Sequence, residues 1–556
     1  VMHQVSTPAE VVFRGGPVHT IDAVRRRVTA VAVRGGRIVA VGHDADVRDL
    51  IGPRTDVIDL AGRALVPGFQ DAHVHPALAG MTLIRCDLSD ARDAAATFAL
   101  IRAYAAARPE EEWITGGGWS MEAFAGGTPS RRQLDTIVPD RPVFLINADG
   151  HGAWVNTRAL ELAGVGRDTP DPADGRIERE PDGTPQGTLH EGAAALVGDL
   201  VPGLDAADGL RALLAGQARL HSVGVTAWQD AMVGSAHPGL DPLDAYLTAA
   251  RSGRLTARVV GALWWERDRG AEQLDRLLEL RATSSIGRFA ATSVKIMQDG
   301  VAENFTAALT EPYLDGCGCH TGNRGLSFVD PAALREHVTL LDAHGFQVHV
   351  HAVGDRAARE ALDGFAQALA ANGRADHRHH IAHLQVVHPD DVPRFAALGV
   401  TANLQPLWAA HEAQMDELTI PFLGHERAGW QYPFGDLLRS GATLAAGSDW
   451  PVSAPDPMWG IHVAVNRLLP PFADPSDVVF LPEQRIDLTA ALAAYTVGTA
   501  HLNHRDHDTG TIEVGKLADL AVLDRDPYTG PPAEIASTRV LGTYVEGEAV
   551  YTAEGL

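Results

Sequence analysis

Leu65–Pro76 reads LVPGFQDAHVHP: a Pro-Gly turn, an apolar run, then two histidines one residue apart. Residues i and i+2 of an extended strand face one side, so His73 and His75 point together while Val74 packs the other way. Asp71 shares their parity and could orient one imidazole as a carboxylate behind it. A His-x-His pair alone fits a strand with two polar inward positions as well as it fits two metal ligands. The rest of the chain has to decide between them.

Working outward, strand-like runs alternate with amphipathic helical ones. The strand runs are ALVPGFQDAHVH, GVTAWQD, RVVGALWW, SVKIMQDG, FQVHVHAVGD, HHIAHLQ, VTANLQ and ATLAAGSD. Helical runs such as GLRALLAGQARLHSVG, PAALREHVTLLDAHG and PDDVPRFAALG each close on a glycine, the usual helix stop. Eight such strands joined by helices predict an α/β chain folded as a (β/α)8 TIM barrel, with its chemistry at the C-terminal ends of the strands. VAVRGGRIVAVG near the start and TYVEGEAVY near the end read as hairpins, with turns at Gly35-Gly36 and Gly547-Glu548. Neither terminal group can bury its apolar face alone, so the two are expected to form one small β-sandwich domain. The expected division is 1–64 and 506–556 for that domain and 65–505 for the barrel. A Gly/Pro/Asp-rich stretch of about 113–200 breaks the alternation and predicts an insertion over the barrel mouth.

The 556 residues carry 46 Lys+Arg against 71 Asp+Glu, a net charge of −25. Such a balance disfavours nucleic acid and anionic membrane surfaces, leaving a small-molecule substrate as the expected partner. Three cysteines are too few for a disulfide framework and suit a reducing, cytoplasmic setting. The opening VMHQVSTPAE has no basic segment followed by an apolar one, and no apolar run approaches the length of a membrane span. A homodimer is a further expectation.

Later strand ends sharpen the reading of the opening histidines. Lys295 falls in the fourth run, His351 at the end of the fifth, His383 in the sixth, and Asp449 closes the eighth in GSDWP. All would converge on one rim. A charged lysine among imidazoles is repulsive unless modified, and carboxylation by CO2 would make it a bridging ligand. Imidazole and carboxylate donors suit zinc, as one or two ions.

PGFQDAHVH, VKIMQDG, HAVGDRA, IAHLQ and GSDWPV together resemble the amidohydrolase superfamily and its YtcJ-like branch, which includes N-substituted formamide deformylases. GGGWSMEAFAGGTPSRRQLD, NADGHGAWVN, DGTPQGTLHE and GTIEVGKLADLAVLD extend the likeness over nearly the whole chain. The resemblance implies a metal site of His73, His75, Lys295, His351, His383 and Asp449, with Lys295 carboxylated and Asp449 the base. Ala382 departs from the branch, where an acidic residue often precedes the last metal histidine. His151 and Glu191 fall in branch motifs within the insertion and, with Trp119, are candidate substrate contacts.

A metal ion brings the pKa of water from about 15.7 towards 7, so an attacking hydroxide is available near neutrality with no nucleophilic side chain. The expected reaction is hydrolysis of an amide or formamide C–N bond. The same activated carbonyl could be attacked internally, which makes a cyclising or dehydrating, heterocycle-forming enzyme the alternative; an assembly protein would require the ligand set to have been lost. Trp119, Trp154, Trp228, Trp264, Trp265, Trp408 and Trp450 suggest an aromatic pocket, although Trp264 and Trp265 cannot both face inward. GCGCH, with Cys317, Cys319 and His320, reads as a loop, because a closed metal site needs four ligands. His377, His379 and His380 read as a polar lead-in, with His380 facing away from His383 if the strand is regular. Asp355 in HAVGDRA is the expected N-cap of the following helix.

Overall fold

The chain changes sheets at Gly68. Ala64–Pro67 pairs antiparallel with Leu520–Leu523, whereas Phe69–Val74 pairs parallel with Val225–Val233. A Cβ on Gly68 would lie 2.5 Å from the Thr226 side chain, so glycine alone lets the crossing strand pass this close.

The computed structural model describes residues 7–203, 205–235, 241–471 and 478–554. Eight parallel strands run in order around the barrel: Phe69–Val74, Val225–Val233, Arg258–Trp264, Phe289–Met297, Gln347–Ala352, His380–His383, Thr401–Leu404 and Leu444–Ala446. Each lies within or across its expected run. The eighth strand is tied back to the first where the Asp449 N–H donates to the His73 carbonyl at 2.7 Å. Asp71 strengthens that seam, accepting from Ser448 Oγ at 2.6 Å and from the His73 N–H at 3.0 Å. Its carboxylate therefore holds main chain and the strand-eight turn, not an imidazole ring as expected.

Alternation along the strands separates two interiors. In the fifth, Val348 and Val350 join Val338, Leu341, Leu362 and Phe365 in the core under the helices, while Gln347, His349 and His351 face the axis. The helices Ala206–Ser222, Pro331–Ala343 and Val392–Leu398 end before Gly224, Gly345 and Gly399, all at positive φ. Asp355 is not a cap: Gly354 takes that position in Asp355–Asn372, and the Asp355 carboxylate accepts from the Thr310 N–H at 3.0 Å.

Strands from both chain ends share one eight-stranded sheet. Phe13, Val31, Leu65, Leu520, Val522 and Tyr544 pack together in its core, so neither terminal group buries its face alone. Gly35 and Gly36 make the first hairpin turn at φ 57° and 73°. The last turn is Glu546-Gly547, one residue earlier than expected, because Glu548 already pairs with Val545.

A third sheet of six strands covers the mouth. It begins with Cys86–Asp87, so the excursion starts before the expected 113, and it ends with Pro185–Glu191. Ile101, Trp119, Leu145 and Trp154 are part of its own core. No helix among the described residues is long and apolar enough to cross a membrane.

Candidate metal centre

The mouth of the barrel brings together His73, His75, Lys295, His351, His383 and Asp449. His73 Nε2 and His75 Nε2 lie 3.3 and 3.2 Å from the same atom, Asp449 Oδ1. His383 Nδ1 is 3.9 Å from the other carboxylate oxygen, and Lys295 Nζ is 3.5 Å from His73 Nε2. The His383 ring lies 4.7 Å from that of His73 and 4.4 Å from that of His351. His73, His75 and Asp449 bring their ligand atoms within 4.8 Å of one another. Despite those distances, Asp449 Oδ1, His75 Nδ1 and His383 Nδ1 are buried without a hydrogen bond. A buried carboxylate oxygen without a hydrogen bond, facing two imidazole nitrogens, is an arrangement that a cation stabilises, so the donor set fits zinc.

Burial, then the neighbouring Lys295, pushes His73 down to about 3, which keeps the ring neutral and able to ligate. Burial also pushes Lys295 down, to about 7. Burial would raise Asp449, but His73, His75 and His383 outweigh it and hold the carboxyl well below its usual range.

His383 reaches this group by a local break in its strand. Odd spacing predicts that His380 and His383 face opposite ways, yet the His380 ring lies 4.1 Å from that of His349 on the axis and His383 joins the rim. The cause is backbone: His383 and Leu384 adopt φ 80° and 50°, ending the alternation at the ligand. Asp449, at φ 56°, makes a similar turn.

Asp299 is a site residue that the sequence reading passed over. Its carboxylate accepts from the N–H groups of Ala308, Val353 and Gly354 and from His351 Nδ1 at 3.2 Å. A carboxylate on one ring nitrogen leaves the other for a metal. Its signal was present in VKIMQDG, four residues after Lys295.

The insertion contributes His151 and Glu191. They form an ion pair at 2.9 Å, Glu191 also accepts from Thr306 Oγ1 at 2.7 Å, and the His151 ring lies 5.4 Å from that of His351. Burial would lower His151, but Glu191 reverses this and raises it to about 9. Trp119, by contrast, belongs to the insertion core and gives its indole N–H to the Leu145 carbonyl. Trp119, Trp154, Trp228 and Trp265 are each under 2 % exposed, so they pack rather than line the mouth. Trp408 does reach the site, stacking on His383 at 5.3 Å. Cys317 and Cys319 are exposed in a loop whose N–H groups bind Asp315.

A second His/Asp group lies before the sixth strand. His377 Nδ1 and His379 Nε2 both contact Asp342 Oδ1, at 2.6 and 2.9 Å. His379 Nδ1 accepts the Val348 N–H at 3.0 Å, so its proton is on Nε2 and is already given to Asp342. This is a closed clamp rather than a ligand set. Burial would raise Asp342, but hydrogen bonds from His379, His377 and Asn372 hold it below the usual range. A depressed folded pKa stabilises above the unfolded value near 4 and is lost on acidification. Asp342→Asn is therefore expected to lower stability at neutral pH by about 1–3 kcal/mol. In urea unfolding the gap from wild type should close as pH falls below 4; an unchanged gap there contradicts the linkage.

The family profile described as "Amidohydrolase family" matches residues 56–551. Protein LONG AFTER FAR-RED 3 of Arabidopsis thaliana is 33% identical over 98% of this chain and 92% of its own length. N-substituted formamide deformylase of Arthrobacter pascens is 27% identical over 97% of each. An uncharacterized metal-dependent hydrolase from Pyrococcus furiosus, a crystal structure, superposes with TM-score 0.70 at 27% identity over 93% of this chain and 99% of its own.

Proposed function

The chain belongs to the amidohydrolase family, and on that premise we propose that it hydrolyses the amide or formamide C–N bond of a small molecule, using His73, His75, Lys295, His351, His383 and Asp449 to hold zinc. One observation carries the reading: Asp449 Oδ1, buried and without a hydrogen bond, lies 3.2–3.3 Å from two imidazole nitrogens. The choice of a formamide-like bond leans on the name of the Arthrobacter pascens relative.

Bound zinc supplies a Lewis acid for the carbonyl oxygen and lowers the pKa of water to roughly 7. Asp449 takes the proton of the attacking water and returns it to the departing nitrogen. Burial pushes Lys295 down to about 7, so its amine would be free to add CO2, releasing a proton to solvent, and the resulting carbamate would be one of the groups that hold zinc. Asp299 fixes the His351 ring through Nδ1. His151, kept cationic by Glu191, has its Nε2–H to give to a substrate oxygen. The Trp408 face beside His383 offers an apolar wall to an aromatic substituent.

The test is amine release from a panel of N-alkyl and N-aryl formamides and acetamides by the zinc-replete protein. Release is expected, with loss on chelation and recovery on adding zinc. Turnover that survives complete chelation, or no cleavage of any amide by zinc-replete protein, overturns the reading.

A further inference from the structure

Below the rim the barrel axis is polar: Gln229, Gln347, His349, His380, Asn403 and Gln405 are each 5 % exposed or less. Amides and imidazoles can each be drawn two ways, and only their partners settle which end donates. Here the partners do. Gln347 Nε2 contacts two main-chain carbonyls, Arg378 O at 2.9 Å and Leu502 O at 2.6 Å. Carbonyls only accept, so this end is the NH2 and Gln347 Oε1 faces Gln229 Nε2 at 3.0 Å. Gln229 Nε2 also donates to Asn503 Oδ1 at 2.9 Å. Its Oε1 then accepts from His349 Nδ1 at 2.8 Å and from His380 Nε2 at 3.1 Å.

A second anchor gives the same orientation independently. Asn403 Nδ2 donates to the Ala72 carbonyl at 2.9 Å and lies 3.3 Å from His380 Nδ1, which must accept. Asn403 Oδ1 accepts from Gln405 Nε2 at 3.1 Å, and Gln405 Oε1 accepts the His383 N–H at 2.8 Å. His380 therefore carries its proton on Nε2 and again requires an oxygen at Gln229 Oε1.

With its proton on Nδ1, a neutral His349 has only a lone pair at Nε2, 2.9 Å from His73 Nδ1. His73 must donate there. Its own proton is thus on Nδ1, leaving Nε2 as a lone pair 3.3 Å from Asp449 Oδ1 and 3.5 Å from Lys295 Nζ.

We infer that the chain Gln347–Gln229–His349, anchored on main-chain carbonyls at the base of the barrel, sets the tautomer of His73 and holds its Nε2 open to a cation at the mouth. The part concerning the cation rests on the function proposed above; the tautomer does not. Gln347, Gln229 and His349 are positioning residues, acting on the site only through His73. In the other tautomer His73 would give Nε2–H to Asp449, and a cation would have to displace that proton.

The test uses full-length protein with 15N-labelled histidine, freed of metal by chelation, with His73 assigned by its loss in His73→Gln. The His73 nitrogen shifts of the wild type are expected to report Nδ1–H. His349→Phe keeps a ring but no acceptor: His73 should move towards Nε2–H, and zinc affinity by chelator competition should fall about 10–100-fold. His349→Gln can accept from His73 and donate to Gln229, so it should keep the tautomer and the wild-type affinity. Packing alone predicts the reverse order, with Phe the milder change. Nε2–H on His73 in wild type overturns the inference, even if the variants do not fold; so does His349→Phe with wild-type tautomer and affinity. A wild type with Nδ1–H that binds no zinc sustains the relay and sinks the proposed function instead.

Discussion

Asp449→Asn is expected to lower kcat about 10²–10⁴-fold on any amide the protein hydrolyses, while leaving the fold intact. Asparagine has nearly the shape of the carboxylate but does not take up a proton near neutral pH, so the variant removes the base, and the zinc content shows whether a ligand is lost with it. It also suits the backbone. Asp449 has φ 56°, a left-handed conformation that Asn tolerates and most side chains resist, and its N–H and carbonyl bond to His73 and Val452 whatever the side chain is. Alanine would mix catalytic loss with strain. A base that acts only during reaction predicts a fall in kcat with a similar fall in kcat/KM. Circular dichroism and zinc content measured on the same sample separate the lost proton transfer from a lost ion. If kcat stays within about tenfold of wild type with zinc bound, Asp449 is not the base.

What could be read from the sequence follows the two-residue period of strands. His73, His75, Lys295 and His351 end in or just beyond regular strands whose alternate residues visibly pack outward, so facing and position could be inferred before any coordinates. His383 could not be placed that way. Its φ of 80° in a non-glycine residue is enforced by the surrounding barrel and leaves no mark in HHIAHLQ. A regular strand would put His380 on the far side from His383, and the polar column on the axis goes unseen with it. Asp299 was hidden for another reason: its role is to accept main-chain N–H groups from Ala308 and from the far more distant Val353 and Gly354, contacts with no local pattern. Trp119 and Trp154 misled because the insertion turned out to carry a core of its own, which begins at Cys86, and aromatics are as useful there as in a pocket.

Arg258→Ala is expected to destabilise the protein by about 3–5 kcal/mol, the largest stability effect of any single substitution considered. Arg258 opens the third barrel strand at 6 % exposure, and its guanidinium reaches across to the terminal β-domain. Nε and Nη2 meet the Asp519 carboxylate at 2.9 and 3.1 Å, and Nη2 also meets Glu546 at 2.9 Å. Asp519 additionally accepts the Glu546 N–H, and its carbonyl accepts the N–H of Gly68, where the chain crosses between sheets. Removing the arginine leaves the Asp519 carboxylate, only 3 % exposed, without its counter-charge. Lysine would not restore it, because an ammonium cannot make the two-pronged contact. Arg288 is the internal control: it pairs with the same Glu546 at 3.2 Å, but both side chains are about one-third exposed. Arg288→Ala should therefore change stability by no more than about 1 kcal/mol. The double substitution Arg258→Met, Asp519→Leu should recover much of the loss, since it removes the buried charges together. Urea unfolding followed by tryptophan fluorescence checks the series. Equal midpoints for Arg258→Ala and Arg288→Ala would mean that the buried pair does not join the two domains energetically.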